Sequence, residues 1–139
     1  MSEPLVGIVL AHEAVANAFV AAVAAIAGTG HGLLPVTNTG CDRAAIEARL
    51  RDAIAGRPAV IFADLPGGSC AFGAAAYARS HPDVAVVTGV NLAMLLDFVF
   101  HRAVTPAAAR ERAVATGRSA IATPGVAAPG AAGPAGTGG

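Results

Sequence analysis

The 139-residue chain carries nine basic and nine acidic residues, every basic one an Arg and none before Arg43, so its formal net charge is zero. That balance excludes a protein held to nucleic acid by charge. Hydrophobic residues make up 55% of the chain, but 36 of them are Ala; the roughly 40 larger apolar side chains suffice for one core of helices over a sheet and not for a second domain.

Leu5 to Leu10 is an apolar run without helical period and predicts a strand, followed by an Ala-rich helix over Ala14 to Ala27 that stops at Gly28. Ala14 to Cys41 bears no formal charge, yet its continuous apolar part, Ala18 to Ala27, is far short of the ~20 residues of a membrane span. The first twelve residues offer only Glu3 as a formal charge, which does not suit a secretory signal. A cytoplasmic protein with reduced thiols at Cys41 and Cys70 is expected, because the two lack CxxC spacing and neighbouring histidines and so mark neither a disulfide framework nor a metal site.

Leu33 to Thr37 reads as a second strand. Asp42 then caps a helix over Arg43 to Ala55, with Ile46, Leu50 and Ile54 on one face and Gly56 closing it. Ala59 to Ala63 and Val84 to Thr88 are further strands, separated by a helix from about Ser69 to Ser80. Asn91 to Arg102 predicts a fourth helix, with Met94, Leu95, Phe98 and Val99 at core spacing, and Thr105 with Pro106 starts a fifth that runs to about Thr116. Ala122 to Gly139 holds six Gly, three Pro and no charge, so residues 124–139 are expected to form a mobile tail behind one domain over 1–123.

Four alternations of strand and helix imply parallel strands joined by right-handed crossovers. The fold expected is a doubly wound α/β domain with a mainly four-stranded parallel sheet and helices on both faces. Ligands of such folds bind beyond the carboxyl ends of the strands. His12 sits there after the first strand, Asp64 after the third, and Gly67-Gly68-Ser69 leads into a helix. If the two strands are neighbours, the Asp64 carboxylate fixes the imidazole tautomer by accepting from one nitrogen and leaves the other as nucleophile. The glycines let backbone N–H groups approach an anion, and the helix start adds partial positive charge, which suits a phosphoryl group. His31 and His81 read as exposed loop residues, and His101 as a helix-end complement to the dipole. Cys70, at a helix start, is placed for a lowered pKa but lacks a base adjacent in sequence.

Gly7-Ile8-Val9-Leu10-Ala11-His12, Asp64-Leu65-Pro66-Gly67-Gly68-Ser69 and Val87-Thr88-Gly89-Val90-Asn91-Leu92-Ala93-Met94-Leu95-Leu96 together resemble the IIA domain of the mannose-family sugar phosphotransferase system, over Leu5 to about Thr123. The resemblance implies a cytoplasmic phosphocarrier without cofactor or metal. Its His12 would accept a phosphoryl group from the phosphocarrier protein HPr and pass it to a IIB component, with Asp64 orienting His12 and Gly67, Gly68 and Ser69 cradling the phosphate. Any membrane association would be indirect, through permease subunits. It also implies a homodimer exchanging a C-terminal strand, for which Ser119 to Thr123 is the available apolar run. The sequence departs from the family at Glu13, where Gly is usual, at Cys70 and Phe72, in place of Pro and Asn, and at Pro66, in place of a bulky residue. A regulatory protein, whose phosphorylation state a partner senses without sugar transport, is the alternative expectation. A nucleotide- or flavin-binding module fits less well, because no GxGxxG follows the first strand.

Overall fold

The apolar runs Val6–Ala11 and Ala59–Ala63 become strands buried on both faces, as the centre of a parallel sheet requires. The computed structural model describes residues 3–125, with strands β1 Val6–Ala11, β2 Leu33–Thr37, β3 Ala59–Ala63 and β4 Val84–Thr88. Helices α1 Val15–Ala27, α2 Arg43–Ile54, α3 Gly68–Arg79, α4 Leu92–Val99 and α5 Pro106–Ser119 cover them. All strand pairs are parallel, in the order β2-β1-β3-β4.

Alternation along each strand divides the core in two. Val6, Ile8 and Leu10 of β1 pack with Ile46, Leu50 and Ile54 of α2 and with Cys70, Ala74 and Tyr77 of α3. Val9 and Ala11 face the opposite way, toward α1, α4 and α5, in a cluster centred on Phe62, Leu95 and Phe98. Phe62 and Phe98 meet edge-on at 5.0 Å between ring centroids. This is the doubly wound arrangement expected.

The chain leaves β1 toward β2 on one side and β3 toward β4 on the other, so the topological switch falls between the central pair. Leu10 is paired with Ala63 at that point, and the next residues are Ala11-His12 and Asp64. The fold therefore delivers an imidazole and a carboxylate to one crevice.

Caps decide the helix ends. Asp42 accepts from Ala45 N–H at 2.8 Å and Thr105 from Ala108 N–H at 3.1 Å, as their positions predict. Asn91 does the same for α4, accepting from Met94 N–H at 3.0 Å, so that helix starts at Leu92; it ends at Val99, three residues before the expected Arg102. Ala55, not Gly56, is the left-handed C-cap of α2, with φ 53°. Helix α5 runs through Ser119 rather than to Thr116, so the residue expected to open an exchanged strand is helical. Ala120 to Thr123 makes no ladder with any of the described residues. Beyond Gly125 the expected tail lies outside the described residues. Among the described residues no helix is long and apolar enough to cross a membrane.

Candidate functional site

His12 and Asp64 meet as their strand ends predict. Asp64 Oδ2 accepts from the His12 backbone N–H at 2.9 Å and lies 2.7 Å from the ring Nδ1. A carboxylate only accepts, so Nδ1 carries the hydrogen and Nε2 of the neutral ring keeps its lone pair. Nε2 makes no hydrogen bond among the described residues, and the His12 side chain is 41% exposed against 14% for Asp64. Burial pushes the Asp64 carboxyl up, but the two bonds from His12 and its attraction to that ring outweigh burial and hold the pKa below its ordinary value. Asp64 is thereby an anion whose second oxygen, Oδ1, is buried without a hydrogen bond among the described residues.

The loop into α3 lies beside this pair. Gly67 is extended, Gly68 has φ 87°, and no side chain caps the helix, whereas Asp42, Asn91 and Thr105 cap α2, α4 and α5. The first-turn N–H groups of α3 are left for an external acceptor, with the positive end of the helix dipole behind them. Ser69 adds a hydroxyl in that first turn.

Cys70 places its Sγ 3.9 Å from His12 Nδ1. Its side chain is fully buried, and burial, with the Asp64 charge adding, pushes the thiol up to about 11. This corrects the expectation of a lowered pKa: removal from water outweighs the helix start, and Cys70 stays a protonated thiol. Cys41 is free as well. His12, Asp64 and Cys70 put three possible ligand atoms within 4.8 Å of one another. Two ligands of one tetrahedral zinc, however, lie about 3.3 Å apart for bonds near 2.0 Å. The 2.7 Å from Nδ1 to Oδ2 is the distance of a shared proton.

Glu13, where the family usually has Gly, does not start the helix. It takes the left-handed conformation with φ 49°, before the α1 cap Ala14. Its N–H donates to Asn38 Oδ1 at 3.3 Å, its carbonyl accepts from Thr37 Oγ1 at 2.9 Å, and its carboxylate accepts from Thr39 Oγ1 at 3.1 Å. The carboxylate is thus tied to the exposed loop after β2. Asn38 Nδ2 in turn donates to Ser69 Oγ at 3.3 Å. Thr37, Asn38 and Thr39 had no role assigned from the sequence; the only signal was a polar Thr-Asn-Thr at a strand's carboxyl end.

The other histidines serve the fold. His31 Nδ1 accepts from Leu33 N–H at 3.0 Å, at the entry to β2. His81 donates to Tyr77 O at 2.7 Å and stacks on the Tyr77 ring with centroids 3.8 Å apart. Both are half-buried rather than exposed, because each folds onto its own backbone neighbours. His101 lies 2.7 Å from Asp97 O, beside the Asp97–Arg112 ion pair that joins α4 to α5.

Solved structures share this architecture. A mannose/sorbose specific IIA subunit of the phosphotransferase system from Enterococcus faecalis is 22% identical over 91% of this chain and 98% of its own, with a TM-score of 0.78. A phosphotransferase system component EIIA from Streptococcus agalactiae is 18% identical over 86% and 96%, with a TM-score of 0.79. A sigma-54 interaction domain protein, also from Enterococcus faecalis, is 12% identical over 86% and 95%, with a TM-score of 0.70. No curated protein matches the chain in sequence. A family model described as the fructose IIA component of the phosphotransferase system matches residues 7–114, and the chain belongs to that family.

Proposed function

We propose that the chain is a histidine phosphocarrier in which His12 Nε2 accepts a phosphoryl group from HPr and hands it to a IIB component. The observation that carries this reading is the 2.7 Å contact of Nδ1 with Asp64, which leaves the Nε2 lone pair free on a partly exposed ring that touches the first turn of α3 through Cys70. In the forward step Nε2 forms a bond to phosphorus as the donor's bond to phosphorus breaks. The ring gains positive charge, and Asp64, already an anion, meets that charge without a proton leaving Nδ1. First-turn N–H groups of α3 and the Ser69 hydroxyl receive the phosphoryl oxygens. The reverse geometry serves transfer to the acceptor. Leu65 and Phe72, 53% and 56% exposed on the loop and first turn at this rim, offer apolar contact to a docking protein.

The chain is further read as a homodimer. Strand β4 has one free edge, flanked by a cavity of about 330 Å³ whose lining includes Val86, Thr88, Arg118 and Ile121. Ile121 is 71% exposed, and Ala120 to Thr123 is placed to pair with β4 of a second copy. A regulatory role, in which a partner senses the state of His12, is the second reading. The similarity to a sigma-54 interaction domain protein favours it.

Incubation with phosphorylated HPr, followed by peptide mapping in mass spectrometry, tests the phosphocarrier reading. One acid-labile, base-stable phosphoryl group per chain on His12, and none on His31, His81 or His101, is expected. Label on another histidine, or full labelling of His12→Ala, refutes it.

A further inference from the structure

Ser69 is useful to a phosphoryl group only if its hydroxyl hydrogen is turned toward it, and a serine hydroxyl rotates freely unless something takes its lone pairs. Asn38 is built to do this. Its Oδ1 accepts from the Glu13 N–H at 3.3 Å, which fixes which way the amide faces, and the opposite end, Nδ2, donates to Ser69 Oγ at 3.3 Å. With Ser69 Oγ accepting from Asn38, its own hydrogen is left to be given elsewhere, and Ser69 stands in the first turn of α3 next to Cys70, whose Sγ lies 3.9 Å from His12 Nδ1.

The anchor of Asn38 is itself held. Glu13 stays left-handed although it is not a glycine, and its carbonyl and carboxylate are bound by Thr37 and Thr39 on either side of Asn38. Three consecutive side chains, Thr37 at the end of β2 and Asn38 and Thr39 just after it, thus meet three polar groups of the residue that follows His12. The chain of contacts runs from the β1 end through Asn38 to the first turn of α3, across the switch point of the sheet.

We infer that Asn38 is a positioning residue that aims the Ser69 hydroxyl at the phosphoryl group on His12, with Glu13 as its brace. This inference rests on the phosphocarrier reading. Asn38→Asp separates it from a structural role. The introduced carboxylate keeps an acceptor for the Glu13 N–H, but it has no hydrogen to donate and accepts the Ser69 hydrogen instead, taking it from the phosphoryl group.

The experiment labels the parent chain, N38D, S69A and the N38D/S69A double variant with phosphorylated HPr or with phosphoramidate, and follows hydrolysis of the isolated phosphohistidine. One hydrogen bond to a charged acceptor corresponds to about a tenfold change. Phosphohistidine lifetime should shorten about tenfold in N38D and in S69A, and the double variant should be no shorter-lived than either single one. Thermal unfolding of the unphosphorylated variants should stay at the parent's midpoint. A labelled parent with an N38D lifetime equal to its own overturns the inference alone. So do effects of N38D and S69A that multiply in the double variant, and so does a lowered N38D midpoint. A parent that takes no label on His12 from either donor overturns the phosphocarrier reading and the inference with it.

Discussion

Replacing Asp64 by Asn tests what the carboxylate contributes, because the structure dictates how the amide must sit. Two donors converge on Asp64 Oδ2: the His12 backbone N–H at 2.9 Å and the ring Nδ1 at 2.7 Å. An amide NH2 placed there would face the backbone N–H hydrogen to hydrogen, so the amide oxygen takes that position and the NH2 group takes the position of the unpaired Oδ1. The Nδ1–H tautomer survives, and only the negative charge is lost. A charge-assisted hydrogen bond exceeds a neutral one by about 1–2 kcal/mol, which corresponds to roughly 5- to 30-fold in the rate of phosphorylation. Rapid-quench measurement of transfer from phosphorylated HPr gives that rate. An unchanged rate refutes the charge argument, and a loss above about a thousandfold refutes the tautomer argument, since wrong-tautomer variants of catalytic histidines fall that far.

The same residue predicts a pH dependence: its folded pKa lies below the unfolded value, so its stabilisation is present above the ordinary carboxylate range and is lost as pH falls below about 4. Acid unfolding of Asp64→Asn should lack that part of the decline, and parallel profiles for variant and parent would contradict it. Gly7→Ala should lower stability by about 1–3 kcal/mol in urea unfolding, because its Cβ would stand 2.6 Å from Leu33 Cδ2 and 2.7 Å from the Phe98 ring. Glu13→Gly relieves a left-handed conformation but frees the unfolded chain, and the net change in stability should stay within about 1 kcal/mol. Glu13→Gly keeps the backbone N–H and carbonyl that hold Asn38 and Thr37 and loses only the carboxylate's bond to Thr39, so the phosphorylated fraction at equilibrium should change less than about twofold. Removal of residues from Ala120 onward should convert a micromolar dimer to monomer in light scattering; a parent already monomeric, or a truncated chain still dimeric, contradicts the exchange.

The sheet was legible because strands buried on both faces are written as unbroken apolar runs, as in Val6–Ala11 and Ala59–Ala63. Helix ends were harder, since a cap such as Asn91 and a left-handed Ala55 decide them locally. His12 and Asp64 could each be placed at a strand end, but their contact depends on β1 lying beside β3, which the order of strands along the chain does not state. Cys70 was misjudged because helix position shows in a sequence and desolvation does not. The Glu13, Asn38 and Ser69 connection was hidden for a similar reason. It requires a positive φ at a residue that is not glycine, and three loops meeting at one edge.

In the proposed transfer Nδ1 is engaged by Asp64 and Nε2 is the atom that carries phosphorus. Long-range proton–nitrogen NMR on the ¹⁵N-labelled chain distinguishes the two nitrogens directly. Before transfer, His12 should show a protonated Nδ1 and a bare Nε2; afterwards, coupling to phosphorus should appear at Nε2 with Nδ1 still protonated. Phosphorus on Nδ1, or a free His12 protonated at Nε2 alone, would contradict the central claim.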